Sequence, residues 1–378
     1  MEQTILAVIR PKLNMSQPKD QLLHLIEHIL MSPERLSKIG ISEKHFAKDI
    51  IWSNGSISEL FCVEYFIVRS AEIETIKKLV LNGLNHLHLD KVDLGAIKKN
   101  IVQEIEEDNT KEISMGEQFA KAIYTKDSPI LRQPWNDAGI LKNLDLDHSK
   151  IEKMFKKFGK PFSIVELSFN RYRQSEKISV EKNFLNSSAK PIQLKHPYQS
   201  PETTAIDILI PVNFGEQDFI NFDLYRTILA DYDFGILYKK MRQKGLVYDL
   251  GVNYNLHASA IQIYFSCDKN RAEDALNYIK ELSANEKIIS KDFLELTKDK
   301  TIMSYEIEWG NISDSALGYI KEFVLGNFHI APKERIAKMR KISIDEINNF
   351  HNKIVKNFKN NALIPLLNYG KKVETNSH

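Results

Sequence analysis

The stretch His24-Leu25-Ile26-Glu27-His28 constrains this chain more than any other. Residues four apart lie on one face of an α-helix, so His24 and His28 stack one turn apart with the Glu27 carboxylate beside them. H-x-x-E-H is the inverted form of the commoner H-E-x-x-H zinc motif, in which two imidazoles are metal ligands and the carboxylate is a general base. The flanks predict a helix. Ser16 or Gln17 can cap it, Pro18 suits its first turn, and Asp20 favours the positive end of its dipole. Leu22, Leu23, Leu25, Ile26, Ile29 and Leu30 carry the apolar positions as far as Ser32-Pro33, which makes this a buried or half-buried helix. The same letters also fit two ordinary histidines in a core or on a surface, because short motifs recur by chance.

Tetrahedral catalytic zinc takes three protein ligands and leaves a fourth position open, so an acid or imidazole must arrive from elsewhere. The segment from Ile97 to Asp108 is the best supplier. Ile97, Ile101, Glu104 and Ile105 share one helical side, which turns Glu104 inward while Glu106 and Asp108 face away. Taken alone, Glu104 reads more simply as a solvated charge in an acidic run.

With these residues in place the chain resembles the pitrilysin/insulinase zinc peptidases, over most of its length. That family follows H-x-x-E-H by about seventy-six residues with a ligand Glu in a helix of the form I-V-x-x-E-I, and Ile101-Val102-Gln103-Glu104-Ile105 stands 104 − 28 = 76 residues on. Asn54-Gly55-Ser56-Ile57-Ser58 is similar to the family's N-A-x-T-S strand, whose edge pairs with substrate backbone, and Leu237 to Tyr248 is similar to its L-x-x-x-L-R-x-x-x-G-L-x-Y segment. The resemblance implies Zn2+ held by His24, His28 and Glu104, with Glu27 as the catalytic base. It also implies peptide bound along Asn54, Gly55 and Ser56, with Arg242 and Tyr248 reaching the substrate backbone. Some positions depart from the pattern: Ile97 stands where most members have an acid, Leu25 replaces a frequent phenylalanine, the Arg242-to-Tyr248 spacing is one residue short, and about two dozen residues precede His24.

The implied function is zinc-dependent hydrolysis of peptide bonds in short or unfolded peptides. The alternative is a non-catalytic or weakly active relative that binds peptides or serves as a partner subunit. Half-length members often pair two chains, so a homodimer or a pairing with a related subunit is implied as well.

At 378 residues and 43% hydrophobic content, the chain can bury two cores. Its net charge of +2 gives no reason to expect nucleic acid or an anionic membrane as partner. Cys62 and Cys267 both sit in apolar, strand-like runs, which favours buried free thiols in a reducing compartment. No secretory or membrane-spanning run is visible, so a cytoplasmic location is expected.

A quiet repeat runs through the sequence. Leu60 to Val68 reads as a strand, Ala71 to Leu87 as a helix, and a further helix ends at Glu104 to Asp108. Ala260 to Cys267, Arg271 to Leu282 and Lys291 to Glu308 repeat that order. The Cys62-to-Cys267 offset of 205 places the counterpart of His24 near Leu229 to Tyr232, where no histidine occurs. The expected fold class is α+β: two similar domains, each a mostly antiparallel sheet packed with helices, in a clam-like arrangement. Residues 1–170 would form the metal-binding catalytic domain, 171–203 a linker holding Pro191, Pro197 and Pro201, and 204–378 a second homologous domain without the metal site. His86 and His88 could clip a metal but read more simply as a polar helix end. Trp52, Trp309 and the stripe Phe323, Val324, Leu325 and Phe328 read as core or domain interface, and Lys333 to Lys341 as a solvated helix face.

Overall fold

The computed structural model describes residues 2–11, 17–58, 60–110, 123–125, 128, 138–144, 147–158, 162–176, 202–282, 289–326, 328–361 and 366–368. Its first half runs β1 (Gln3–Pro11), α1 (Gln17–Met31), α2 (Pro33–Lys38), α3 (Glu43–Lys48), β2 (Ile50–Ile57), β3 (Phe61–Arg69), α4 (Ile73–Asn82), α5 (Leu94–Thr110), α6 (Ala138–Lys142), α7 (His148–Phe158), β4 (Ser163–Ser168) and β5 (Tyr172–Gln174). The five strands form an antiparallel sheet in the order β2-β3-β1-β4-β5.

Strand β1 reads as an unbroken apolar run because both of its faces are covered. Leu6 and Val8 pack with Leu36, Ile76 and Val80, whereas Ile5, Ala7 and Ile9 face Ile312, Ala316 and Ile320 from the second half.

That second half runs β6 (Thr203–Pro211), α8 (Glu216–Ala230), α9 (Ile236–Gln243), β7 (Asp249–Asn255), β8 (Ala260–Asp268), α10 (Ala272–Leu282), α11 (Lys291–Gly310) and α12 (Ile312–Lys321). A π-helical turn, Glu322–Gly326, follows, then α13 (Pro332–Lys341), α14 (Ile344–Asn361) and β9 (Leu366–Asn368). Its sheet is antiparallel in the order β7-β8-β6-β9. Two antiparallel sheets dressed with helices make the α+β class that the sequence leads one to expect.

The internal repeat has a different register from the one the cysteines suggest. Helices α1 and α8 are each 15 residues long and start 199 positions apart, at Gln17 and Glu216. β3 and β8 also start 199 apart, at Phe61 and Ala260. Cys62 is the second residue of its strand and Cys267 the eighth of its own, so they are not counterparts. At the corrected offset His24, Glu27 and His28 match Asp223, Arg226 and Thr227.

Three other expectations change. Tyr172–Gln174 pairs with β4, so the first sheet extends into the segment expected to be linker, and residues 177–201 lie outside the described residues. Trp52 is 49% exposed on an edge strand, whereas Trp309 packs beside the first sheet with the α12 cluster. Arg335, in the helix expected to be solvated, is 1% exposed and pairs with Glu322.

Candidate metal centre

Helix α1 is anchored by its apolar side. Leu23, Leu25, Ile26, Ile29 and Leu30 are buried among Ile101 and Ile105 of α5, Leu141 of α6, and Ile151 and Phe155 of α7. Helix periodicity then brings His24, Glu27 and His28 to the side of α1 that meets α5 and β2. His24 is buried, His28 keeps 29% of its side chain exposed, and their ring centroids lie 5.0 Å apart. Glu104 arrives from α5, where buried Ile101 and Ile105 fix the rotation of the helix and half of the Glu104 side chain stays in solvent.

The groups converge. His28 Nε2 is 3.2 Å from Glu104 Oε2, His24 Nε2 is 3.8 Å from Glu104 Oε1, and His28 Nε2 is 3.5 Å from Glu27 Oε2. One ligand atom from each of His24, His28 and Glu104 lies within 4.8 Å of the others, and among the described residues this is the one such group of three. His86 and His88, with ring centroids 5.8 Å apart, belong to no such group.

The local fields differ for each member. Burial pushes the Glu27 carboxyl up to about 7, against the pull of His28 and with the push of Glu104. For His28, burial works against the charged ring, but the hydrogen bond to Glu104 and the charges of Glu27 and Glu104 outweigh it and raise its pKa. Glu104 is held below the usual carboxylate range by the His28 hydrogen bond, burial opposing, with the charges of both imidazoles adding to the effect.

Strand β2 lies at the free edge of the first sheet and runs beside α1. Within it Asn54 is exposed, Gly55 buried and Ser56 half-buried, and Asn54 Oδ1 accepts from the Gly55 N–H at 2.9 Å. A side chain on Gly55 would start inside the Glu27 carboxylate, so glycine leaves the space that Glu27 fills. The remaining expected residues stand apart from this cluster. Arg242, at the end of α9, donates to Val247 O at 3.2 Å, and exposed Tyr248 donates to Asp268 Oδ1 at 2.5 Å. No described hydrogen bond or ion pair joins Arg242 or Tyr248 to Glu27, His28 or Glu104. Ile97 packs half-buried against the cluster that anchors α1.

Sequence reasoning overlooks one supporting network. Glu64 on β3 is the cross-strand partner of Gly55 and is fully buried. It accepts from Arg10 Nη2 at 2.7 Å and Arg35 Nη1 at 3.2 Å, and Arg35 also donates to Leu30 O at the C-terminal end of α1. The network thus ties the edge strand's neighbour to the end of the histidine helix. Its signal in the sequence is a single charge inside the apolar run Phe61-Cys62-Val63-Glu64-Tyr65-Phe66.

No protein-family profile matches the sequence, and no curated protein matches it. Solved structures do match its fold. A protease from Helicobacter pylori is 13% identical with a TM-score of 0.64, the match covering 97% of this chain and 94% of that one. The inactive domain of peptidase M16 from Pseudomonas fluorescens is 13% identical with a TM-score of 0.61, covering 98% and 93%. A mutant of the ferredoxin protease FusC, in complex with Arabidopsis ferredoxin, is 12% identical with a TM-score of 0.61, covering 98% of this chain and 42% of that one. The chain therefore has the fold of M16-type peptidases, a fold that catalytic and inactive domains share.

Proposed function

We propose that this chain is a zinc-dependent metallopeptidase that hydrolyses peptide bonds in short or unfolded peptides. The observation that carries the reading is the convergence of His24, His28 and Glu104 beside Glu27. Three donors about 2.1 Å from one tetrahedral ion stand about 3.4 Å from each other, close to the 3.2 and 3.8 Å found between Glu104 and the two imidazoles. Two imidazoles and a carboxylate suit zinc by donor chemistry, and three protein ligands leave one position open. His24, His28 and Glu104 would hold the ion, which when bound would supply Lewis-acid chemistry to a water and a substrate carbonyl.

The remaining steps belong to side chains. Glu27 is the base. Its carboxylate, 3.5 Å from His28, is placed to take a proton from water and return it to the leaving amine. Among the described residues β2 is an edge strand, and at Asn54 to Ser56 an extended peptide can add a strand by main-chain hydrogen bonds, taking the Gly55 N–H from Asn54 Oδ1. Arg242 and Tyr248 would exchange Val247 O and Asp268 for substrate carbonyls.

A second reading, a peptide-binding relative without catalysis, draws on Ile97: an apolar side chain packs where the resembling peptidases place an outer acid. Self-pairing or pairing with a related subunit fits either reading. Cys62 and Cys267 are buried thiols outside any disulfide, which supports a reducing compartment such as the cytoplasm. Among the described residues no helix is long and apolar enough to cross a membrane.

Metal analysis together with digestion of a peptide library, on the wild-type chain and on Glu27→Gln, tests the proposal. Zinc in both proteins, with cleavage only in the wild type, is the expected result. Zinc without cleavage in either selects the binding relative, and no metal in the wild type overturns both the ligand set and the enzyme.

A further inference from the structure

At the 199-residue offset the metal centre has a counterpart in the second half, and that counterpart is an open pocket. It occupies about 410 Å³ between α8, the β7 edge with its following turn, and the π-helical turn after α12. Its place repeats that of the metal centre, which lies between α1 and edge strand β2. The chemistry has been exchanged: Asp223 stands for His24, Arg226 for Glu27 and Thr227 for His28.

The acids of this pocket are already engaged. Asp223 Oδ2 accepts from Tyr305 OH at 2.5 Å and lies 3.8 Å from Arg335 Nη1, while Glu322 Oε2 lies 2.5 Å from Arg335 Nη2. Arg335 is buried behind them, so its charge is committed to those two carboxylates. The cations at the wall are held less tightly, although Asp223, Glu322 and Glu308 all act on the Arg226 charge. Arg226 keeps 43% of its side chain exposed and touches Asp223 only at 3.7 Å, and no described acid pairs with Lys321. Two carboxylates, Asp223 and Glu322, and two cations, Arg226 and Lys321, line the pocket, and the carboxylates turn to Arg335 behind them. The π-helical turn is itself a sign of use, because such turns are rare and concentrate at functional sites. Here the turn follows directly on Lys321 and carries Glu322 into the pocket wall.

We infer that this pocket is a metal-free anchoring site for a peptide carboxylate, with Arg226 and Lys321 receiving the anion beside the β7 edge. A planar guanidinium takes a carboxylate through two parallel hydrogen bonds, and the Lys321 ammonium adds a second charge. The carboxylate comes from a peptide's C-terminus or from an Asp or Glu side chain. The site extends the peptide reading to the second half, but it does not depend on hydrolysis or on zinc.

Fluorescent peptides of one sequence, prepared as the free acid, as the C-terminal amide, and as the amide with one Gln replaced by Glu, are titrated onto the full chain carrying Glu27→Gln. Anisotropy is read with and without a chelator. The free acid should bind at least about tenfold more tightly than the amide in both conditions. Arg226→Gln and Lys321→Gln, each checked by thermal melting, should each remove most of that difference, and Arg226→Lys should restore part of it. Tight binding of the Glu amide assigns any carboxylate to the site, and its failure to bind restricts the site to chain ends. Equal binding of acid and plain amide, or a preference that survives both substitutions, overturns the inference. A chain that proves inactive as a peptidase but keeps the preference loses the catalytic reading alone.

Discussion

The carboxylate of Glu27 occupies the volume in which a side chain at Gly55 would begin. Helix α1 and edge strand β2 approach so closely there that the proposed base and the proposed peptide-binding edge share one space. Gly55→Ala should therefore act on position more than on folding, since the atoms it displaces are the end of a flexible side chain. A displacement on the order of 1 Å at a reacting group can cost about 100-fold in rate. We expect kcat for a test peptide to fall roughly 10- to 100-fold, with zinc content unchanged and little change in Tm. Steady-state kinetics, metal analysis and thermal melting on one preparation check this.

Of the three proposed ligands, Glu104 is held least firmly by the fold, since half of its side chain is exposed. Glu104→Ala should nonetheless remove zinc more thoroughly than an outer-shell change, which weakens binding about 10- to 100-fold. Metal content after dialysis against a weak chelator measures the loss. Zinc retained at the wild-type level would show that residue 104 is not a ligand.

Glu64 sets a dependence on acid. Burial alone would raise its carboxyl, but the charges and hydrogen bonds of Arg10 and Arg35 prevail and hold it below the ordinary value of 4.5. The unfolded chain then binds more protons than the folded one, so this stabilisation is complete above about 4.5 and is lost as pH falls through the lower, folded value. Glu64→Gln should cost about 3–5 kcal/mol at neutral pH, because two buried guanidinium groups lose their counter-charge. It should also flatten the fall of stability below about pH 4.5, as measured by urea unfolding over the acid range; a variant as acid-sensitive as the wild type would refute the assignment.

The two thiols should be silent in the native state. Both are buried, and burial with the nearby Asp268 charge pushes Cys267 up to about 11. Since the thiolate is the reactive form, a thiol reagent should label the folded protein slowly and reveal both cysteines only in denaturant. Rapid labelling without denaturant would contradict this burial.

Much of the first half is legible in the sequence because its signals are local. The period of α1, the apolar positions around Glu104 and the motif spacing all point to the same four side chains, and the fold brings those four together. The repeat is legible in kind but not in register. Two identical letters, Cys62 and Cys267, occupy opposite ends of equivalent strands, and only the starts of the matching helices and strands fix the offset. Trp52 misleads because an edge strand leaves one side of its pleat in solvent, which composition does not reveal. Arg335 misleads because its counter-charges, Glu322 and Asp223, are distant in sequence. The partners of Arg242 and Tyr248 are beyond reach for a similar reason, since Tyr248 meets Asp268 through the pairing of β7 and β8.

Helix Ile312–Lys321 comes from the second half yet lies against Ile5, Ala7, Val63 and Tyr65 of the first sheet. A truncated protein ending near residue 176 would keep every proposed zinc ligand and still lose the roof over that sheet, baring an apolar face to water. Expression of such a fragment should yield aggregate in place of a miniature enzyme, so the two segments are bound to be inherited as one piece.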